Sequence, residues 1–202
     1  MDYVFGYGSI VSAKWLPKFM SKDISEITYQ KAELKGFVRA WNVAKDNFEP
    51  NARKRYRDCQ TNDWFEGSPT FLNIYPTNNE NTANVNGIIV QVDEQDLMRF
   101  DIREEHYDRV DVTEHIVNAP KDATIYAYVG REKDIKFYEN ARDCGKAKTP
   151  KFYIDMLEEA FNEFGEDEYE QYIKSTIPPE VQSADIELII FKSFNGEMKK
   201  AG

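Results

Sequence analysis

Apolar and polar positions alternate through most of the first two thirds of the chain, and the period changes near residue 150. At 2–7 (DYVFGY), Tyr3, Phe5 and Tyr7 fall on one face of an extended segment, because strand side chains repeat every second residue. A longer extended stretch covers 27–44, with Gly36 placed for a bend or bulge. Residues 71–75 (FLNIY) and 87–92 (GIIVQV) follow. The second is apolar almost throughout, as expected of a strand covered on both faces. From 107 to 117 the alternation sets Val110, Val112 and Ile116 against Arg109, Asp111, Thr113 and His115. At 124–130 (TIYAYVG) it puts Tyr126 and Tyr128 on a common face.

Helical spacing takes over late in the chain. Thr149 is placed as an N-cap and Pro150 as the first helical residue. Tyr153, Met156, Leu157, Ala160, Phe161 and Phe164 then recur three to four apart, and Gly165 is a natural stop. A second helix is expected over 166–174, ended by Pro178-Pro179, and a shorter one runs from Glu94 to about Phe100. Residues 46–69 read as a long mixed-charge connection holding Arg53, Lys54, Arg55 and Arg57, and 77–86 as an Asn-rich turn. With no repeat and no linker, 1–202 reads as one domain with a helical part from about 150. Strands first and helices later point to an α+β fold, a small mixed β-barrel of about six strands, or a strongly curled sheet, with flanking helices.

Hydrophobic residues at 41% and aromatics at 14% argue against disorder. A charge of −10 argues against binding to nucleic acid or to an anionic membrane. No apolar run approaches the roughly 20 residues of a membrane span. The N-terminus has no basic segment of the kind that opens a secretory leader, so a cytoplasmic location is expected. Cys59 and Cys144 suit neither a disulfide framework nor zinc, and His106 and His115 are too few for a metal site. No metal and no cofactor are expected.

Two segments carry candidate chemistry. Phe5-Gly6-Tyr7-Gly8-Ser9-Ile10 lies where the first strand ends, and a strand running into Gly-Ser-aliphatic frees successive backbone N–H groups that can hold an anion. A dinucleotide loop is disfavoured, because Val11 stands at the third glycine position and no βαβ crossover follows. A plain turn is the alternative. In the second segment, 100–109 (FDIREEHYDR), seven of ten residues are acids, arginines or histidine. A solvated turn is the ordinary explanation. Against it, Phe100 and Tyr107 bracket the run and no Gly, Pro or Asn breaks it. A carboxylate at a helix C-terminus is opposed by the helix dipole, one route to a group tuned for proton transfer.

Together these segments resemble the γ-glutamylcyclotransferases. YGSI at 7–10 is similar to their YGSL-type signature, and FDIREEHYDRVDV at 100–112 resembles their acidic D-x-x-E segment in the R-E form of the ChaC-type members. GFVRAW (36–41), NGIIVQV (86–92) and PKFYIDMLEEAF (150–161) resemble further family segments in the same order, so the match covers roughly 3–175. Ile10 departs from the usual Leu or Asn, and the 46–69 connection is longer and more basic than the family's.

The resemblance implies a reaction in which the α-amine of a small γ-glutamyl substrate attacks its own γ-carbonyl, closing 5-oxoproline and releasing the attached amine. The nucleophile belongs to the substrate, so no Ser–His pair or metal is needed. By resemblance Glu104 is the general acid and base, with adjacent Glu105 the competing choice. Tyr7 and the amides of Gly8, Ser9 and Ile10 would hold the α-carboxylate, and Tyr128 would orient the glutamyl chain. Tyr126, Tyr107 and Arg109 are further candidates, with a structural ion pair the expected role of Arg109. The basic stretch at 53–57 reads either as a solvated loop or as a recogniser of an anionic leaving group. The alternatives are a non-catalytic or regulatory module that binds γ-glutamyl ligands on the same fold, or a different amide reaction on a γ-glutamylated molecule.

Overall fold

The computed structural model describes residues 1–50, 52–79 and 81–191; the rest of the expected 1–202 domain lies outside the described residues. The chain opens with β1 (Asp2–Gly6), α1 (Leu16–Met20), β2 (Tyr29–Leu34), β3 (Phe37–Ala44) and β4 (Lys54–Asp58). Next come β5 (Ser68–Pro76), β6 (Val85–Val92), α2 (Glu94–Arg103), β7 (Tyr107–Asp111), β8 (Thr124–Gly130), α3 (Glu132–Asp143) and β9 (Ala147–Pro150). It ends with α4 (Lys151–Glu163), α5 (Glu166–Lys174), β10 (Thr176–Ile177), β11 (Ser183–Ala184) and β12 (Ile186–Ile190).

The fold is α+β with mixed sheets, but the strands do not close into a barrel. One sheet runs β2-β6-β1-β8-β7, a second β10-β3-β5-β9-β11, and β4 pairs with β12 in a two-stranded sheet of its own. The first sheet curls until the segment after β7 meets its far edge. There the Lys35 amide donates to the His115 carbonyl and the Val117 amide to the Glu33 carbonyl, each at 2.9 Å. That is one bridge between Leu34 and Ile116 rather than a ladder. The expected 27–44 ribbon is cut at Gly36, whose φ of +73° suits glycine. β2 therefore joins β6 while β3 crosses to β5 in the other sheet.

Alternation on the central strands supplies a core to each face of the first sheet. Phe5, Tyr7, Val85, Ile89, Ile125 and Ala127 face the second sheet and the α4 residues Leu157 and Phe161. Val4, Ile88, Val90 and Tyr128 face the other way, against Leu16, Met20 and Phe100 of α1 and α2. Arg39, from the G-F-x-R-like segment, has 0% exposure in the first of these layers. Its guanidinium lies against the Phe161 and Tyr172 rings, which stack on each other, 5.1 and 4.9 Å from their centroids, and donates to the Asn86 carbonyl and to Thr176 Oγ1. Burial pushes its pKa down to about 10, and no carboxylate pairs with it among the described residues. Two desolvated cation–π contacts, at about 2 kcal/mol each, help offset that burial.

Several expected boundaries move. Asp111 Oδ1 accepts from the Thr113 amide at 2.9 Å and its hydroxyl at 2.6 Å, an Asx turn that ends β7 six residues before 117. Val110, inside β7, is 40% exposed rather than inward with Val112 and Ile116. Thr149 does not cap α4: it belongs to β9 and its Oγ1 meets Thr70 Oγ1 at 3.0 Å, leaving Pro150 at the cap and Lys151 as the first helical residue. The 46–69 connection contains β4, and the part beyond 150 returns to strand in β10 to β12.

Candidate active site

The acidic segment is planted by the cap of α2. Asp93 accepts from the Asp96 amide at 2.8 Å while Asp96 accepts from the Asp93 amide at 3.3 Å, a reciprocal capping arrangement. Asp96 is 1% exposed and is paired with Lys22 at 2.5 Å, which ties α2 to the chain after α1. The helix ends at Arg103, and Glu104 follows as its C-cap. The Tyr107 amide then closes a turn on the Glu104 carbonyl at 2.8 Å. Arg103 supplies a cation beside the helix C-terminus, offsetting the dipole that would otherwise act alone on Glu104.

The first motif folds into a turn of 3-10 helix, Ser9–Val11. A Cβ on Gly6 would stand 2.5 Å from Ile10 Cγ2, so glycine there lets Ile10 tuck into the core. A Cβ on Gly8 would stand 2.9 Å from the Tyr153 hydroxyl. That hydroxyl comes from the first turn of α4, and burial raises its pKa while Arg103 and Ser9 act to lower it. Gly8 thus admits Tyr153 to the backbone that the sequence marks for an anion.

The two motifs meet through Arg103. Its guanidinium donates to Ser9 Oγ at 2.6 Å, across 94 positions of sequence, and forms an ion pair with Glu104. The two side chains of that pair are 12% and 14% exposed. The guanidinium also packs flat on Phe19, 3.6 Å from the ring centroid. These residues line one end of a cavity of about 290 Å³. Its apolar wall includes Trp15, Phe19, Phe71, Phe152 and Met156, and its polar wall adds Lys18, Lys45, Lys54, His106, Tyr107 and Tyr153.

The cavity is cationic in an anionic protein. Glu104 is the one carboxylate among the described lining residues, and it is already matched by Arg103. Lys45 is 3% exposed; its ammonium donates to the Lys54 carbonyl at 2.7 Å. Burial, and then the neighbouring Lys54 charge, push its pKa down to about 7. Burial, with Arg103 adding to it, brings Lys54 to about 8. Burial also lowers His106, although its Nδ1 sits 2.8 Å from Asp134 Oδ1, a contact that favours the protonated ring.

β4 explains which cations reach this space. Its side chains alternate, so Lys54 and Tyr56 line the cavity, while Arg55 lies over Phe48 and Arg57 pairs with Glu187 on the other face. The candidate recogniser of a leaving group in the 53–57 stretch is therefore Lys54, joined by Lys45 from the end of β3.

Ser9, Glu104 and Tyr107 come together here; Tyr107 is fixed by donation to the Leu72 carbonyl at 2.8 Å. Of the adjacent glutamates, Glu104 lines the cavity, whereas Glu105 is not among the lining residues and has a 35% exposed side chain. Tyr7 is buried, donating to the Tyr128 carbonyl at 2.6 Å, and the Ile10 side chain is core. Tyr126 and Tyr128 do share a face, but it looks toward α2: Tyr128 donates to Asp101 at 2.7 Å, and Arg109 lies over Tyr126 while pairing with Asp101 at 3.2 Å. Neither tyrosine nor Arg109 lines the cavity. Sequence reasoning passed over Arg103, Lys45, Tyr153 and the His106–Asp134 pair. Of these, Arg103 had a signal, an arginine directly beside the selected glutamate.

Among the described residues no group of three or more His, Cys, Asp or Glu side chains could hold a metal ion, and no helix is long and apolar enough to cross a membrane. Both cysteines are free and exposed. No family model matches the sequence, and no curated protein does. Among solved structures, a crystal structure of an uncharacterized protein, loc79017, from Homo sapiens is similar, with a TM-score of 0.52 at 15% identity over 88% of each chain. At that identity the likeness establishes a shared fold.

Proposed function

We propose that this chain is a γ-glutamylcyclotransferase, converting the γ-glutamyl group of a small amide or peptide to 5-oxoproline and releasing the amine. The observation that carries this reading is the junction at Arg103, which joins the YGSI turn to Glu104 at the end of an aromatic-walled cavity. Glu104 takes the proton from the substrate ammonium so that the nitrogen lone pair can attack. Ser9 and the guanidinium of Arg103 receive the α-carboxylate, folding the glutamyl chain so that the amine faces its own γ-carbonyl. Orientation of this kind supplies several kcal/mol of the barrier reduction. Tyr7 and Tyr128 act from below by fixing the turn to β8.

The leaving amine lies along the aromatic wall toward Lys45 and Lys54, so amines bearing a carboxylate are the favoured class. The test is 5-oxoproline release from a panel of γ-glutamyl amino acids, glutathione and uncharged γ-glutamyl amines. Glu104→Gln is expected to abolish turnover with the fold retained, and Lys54→Glu to raise KM for the carboxylate-bearing substrates alone. No product from any substrate refutes the activity; an unchanged KM refutes the role of Lys54. A binding module without turnover is the second reading, favoured by the engagement of Glu104 with Arg103. Binding of the same panel without product would select it.

A further inference from the structure

His106 is the one imidazole of the cavity wall, and the reading above leaves its chemistry unused. It follows Glu104 by two positions, in the turn that enters β7, and lines the same cavity. Its Nδ1 is held by Asp134 Oδ1 at 2.8 Å, with side-chain exposures of 13% and 10%. Asp134 lies in the first turn of α3, where the helix dipole favours a carboxylate. A carboxylate can only accept, so the neutral ring carries its proton on Nδ1 and presents a lone pair on Nε2.

That Nε2 is buried and has no hydrogen-bond partner, and Asp134 Oδ2 is likewise unmatched. The charged groups around the ring are Asp134 from α3, Lys54 from β4 and Glu105 beside it. Glu105 Oε1 stands 3.8 Å from Nε2, beyond hydrogen-bond reach. A buried, oriented and unpaired acceptor costs free energy unless something occupies it.

We infer that His106, oriented by Asp134, is a second proton carrier in this cavity, working at the leaving nitrogen while Glu104 works at the attacking one. The inference rests on the cyclotransferase reading. Two protons leave the α-nitrogen during ring closure. Glu104 accepts the first, freeing the lone pair that forms the new C–N bond. As that bond forms, the ring nitrogen still carries an extra proton, and Nε2 accepts it, with Asp134 facing the imidazolium. When the γ-carbonyl is restored and the old C–N bond breaks, the imidazolium gives this proton to the departing nitrogen. Glu104 returns the other to the released amine as it becomes an ammonium ion. The lactam keeps one N–H, and both side chains regain their starting states.

A departing amine of low basicity needs this help least, which separates proton delivery from general damage to the site. The probes are γ-glutamyl-4-aminobutyrate and γ-glutamyl-4-aminobenzoate, which share a carboxylate but release an alkylamine and a weakly basic arylamine. His106→Asn keeps a donor for Asp134 and removes Nε2. It is expected to lower kcat about 100-fold or more on the alkyl substrate and less than about tenfold on the aryl one, within the range of general acid–base effects. Asp134→Asn should show the same selectivity more weakly, and Glu104→Gln should lose both substrates. Nitrogen NMR of the wild-type ring above pH 8 should find the proton on Nδ1. Equal losses on the two substrates, no loss, or a proton on Nε2 would overturn the role of His106 and leave the cyclotransferase reading standing. A wild-type protein that releases 5-oxoproline from neither these probes nor any substrate of the wider panel would overturn both.

Discussion

Replacing Lys45 with methionine removes an ammonium group from a place where it is poorly solvated. The side chain is 3% exposed, rests 5.2 Å from the centre of the Tyr56 ring, and has a single carbonyl acceptor. Its pKa falls from 10.5 to about 7 on folding. Between those values the unfolded chain binds about one more proton than the folded one, so this group's contribution makes stability rise with pH. At roughly 1.4 kcal/mol per pH unit, the charged form costs about 5 kcal/mol below pH 7, and the cost shrinks to about 2 kcal/mol at pH 9. Methionine fills similar volume without charge but leaves the Lys54 carbonyl without its donor, a loss of about 1–3 kcal/mol. Lys45→Met should therefore be more stable than wild type by about 2–4 kcal/mol at pH 6, and within about 1 kcal/mol of wild type at pH 9. Urea unfolding at the two pH values reads this directly: with a slope of about 1–3 kcal/mol per molar, the midpoint at pH 6 rises by about 1 M. A variant less stable than wild type at pH 6, or a difference that does not change with pH, would mean that Lys45 folds without losing its hydration.

Two further substitutions test the scaffold. Gly87→Ala places a Cβ 2.1 Å from the Gly6 carbonyl oxygen, a backbone atom of the neighbouring strand that cannot rotate away. A loss of about 3 kcal/mol, read as a fall in Tm of about 6–12 °C, is expected, and an unchanged Tm contradicts the close packing of β1 on β6. Arg39→Lys keeps a charge but has no planar group to pack against the stacked Phe161 and Tyr172 rings and cannot fork to Asn86 and Thr176. It should lower stability by about 2–4 kcal/mol in denaturant unfolding, and a midpoint equal to wild type would show that charge alone suffices there.

Elements with local signals were legible. α5 occupies the residues that its spacing and the flanking Gly165 and Pro178 marked out, and β8 and β6 follow their patterns closely. Those whose signal is distant were not. β4 reads Lys-Arg-Tyr-Arg-Asp, with only Tyr56 buried, and becomes a strand because β12 arrives more than a hundred residues later. α3 follows Arg131, which provides no side-chain cap, and its buried residues Asp134, Tyr138 and Ala141 give a weak apolar stripe. The strand expected beyond Asp111 failed because one aspartate side chain competes with the ladder, a choice that depends on local geometry more than on hydrophobic period.

The same division governs the site. Residue identity marked out the Gly-Ser turn after a strand and the carboxyl groups at a helix end, both local arrangements, and the family resemblance chose Glu104 over Glu105. Sequence also fixed the alternation that puts Tyr126 and Tyr128 on one face. Only the packed chain decided that this face meets α2 rather than the cavity, and that Arg103 connects Ser9 to Glu104. It alone turned Lys54 inward and Arg55 outward, and gave Lys45, Lys54 and His106 their lowered proton affinity. Hydrophobic period is written in neighbouring residues, whereas desolvation and ion pairing depend on groups that folding gathers from five or more separate segments, so no local window contains them.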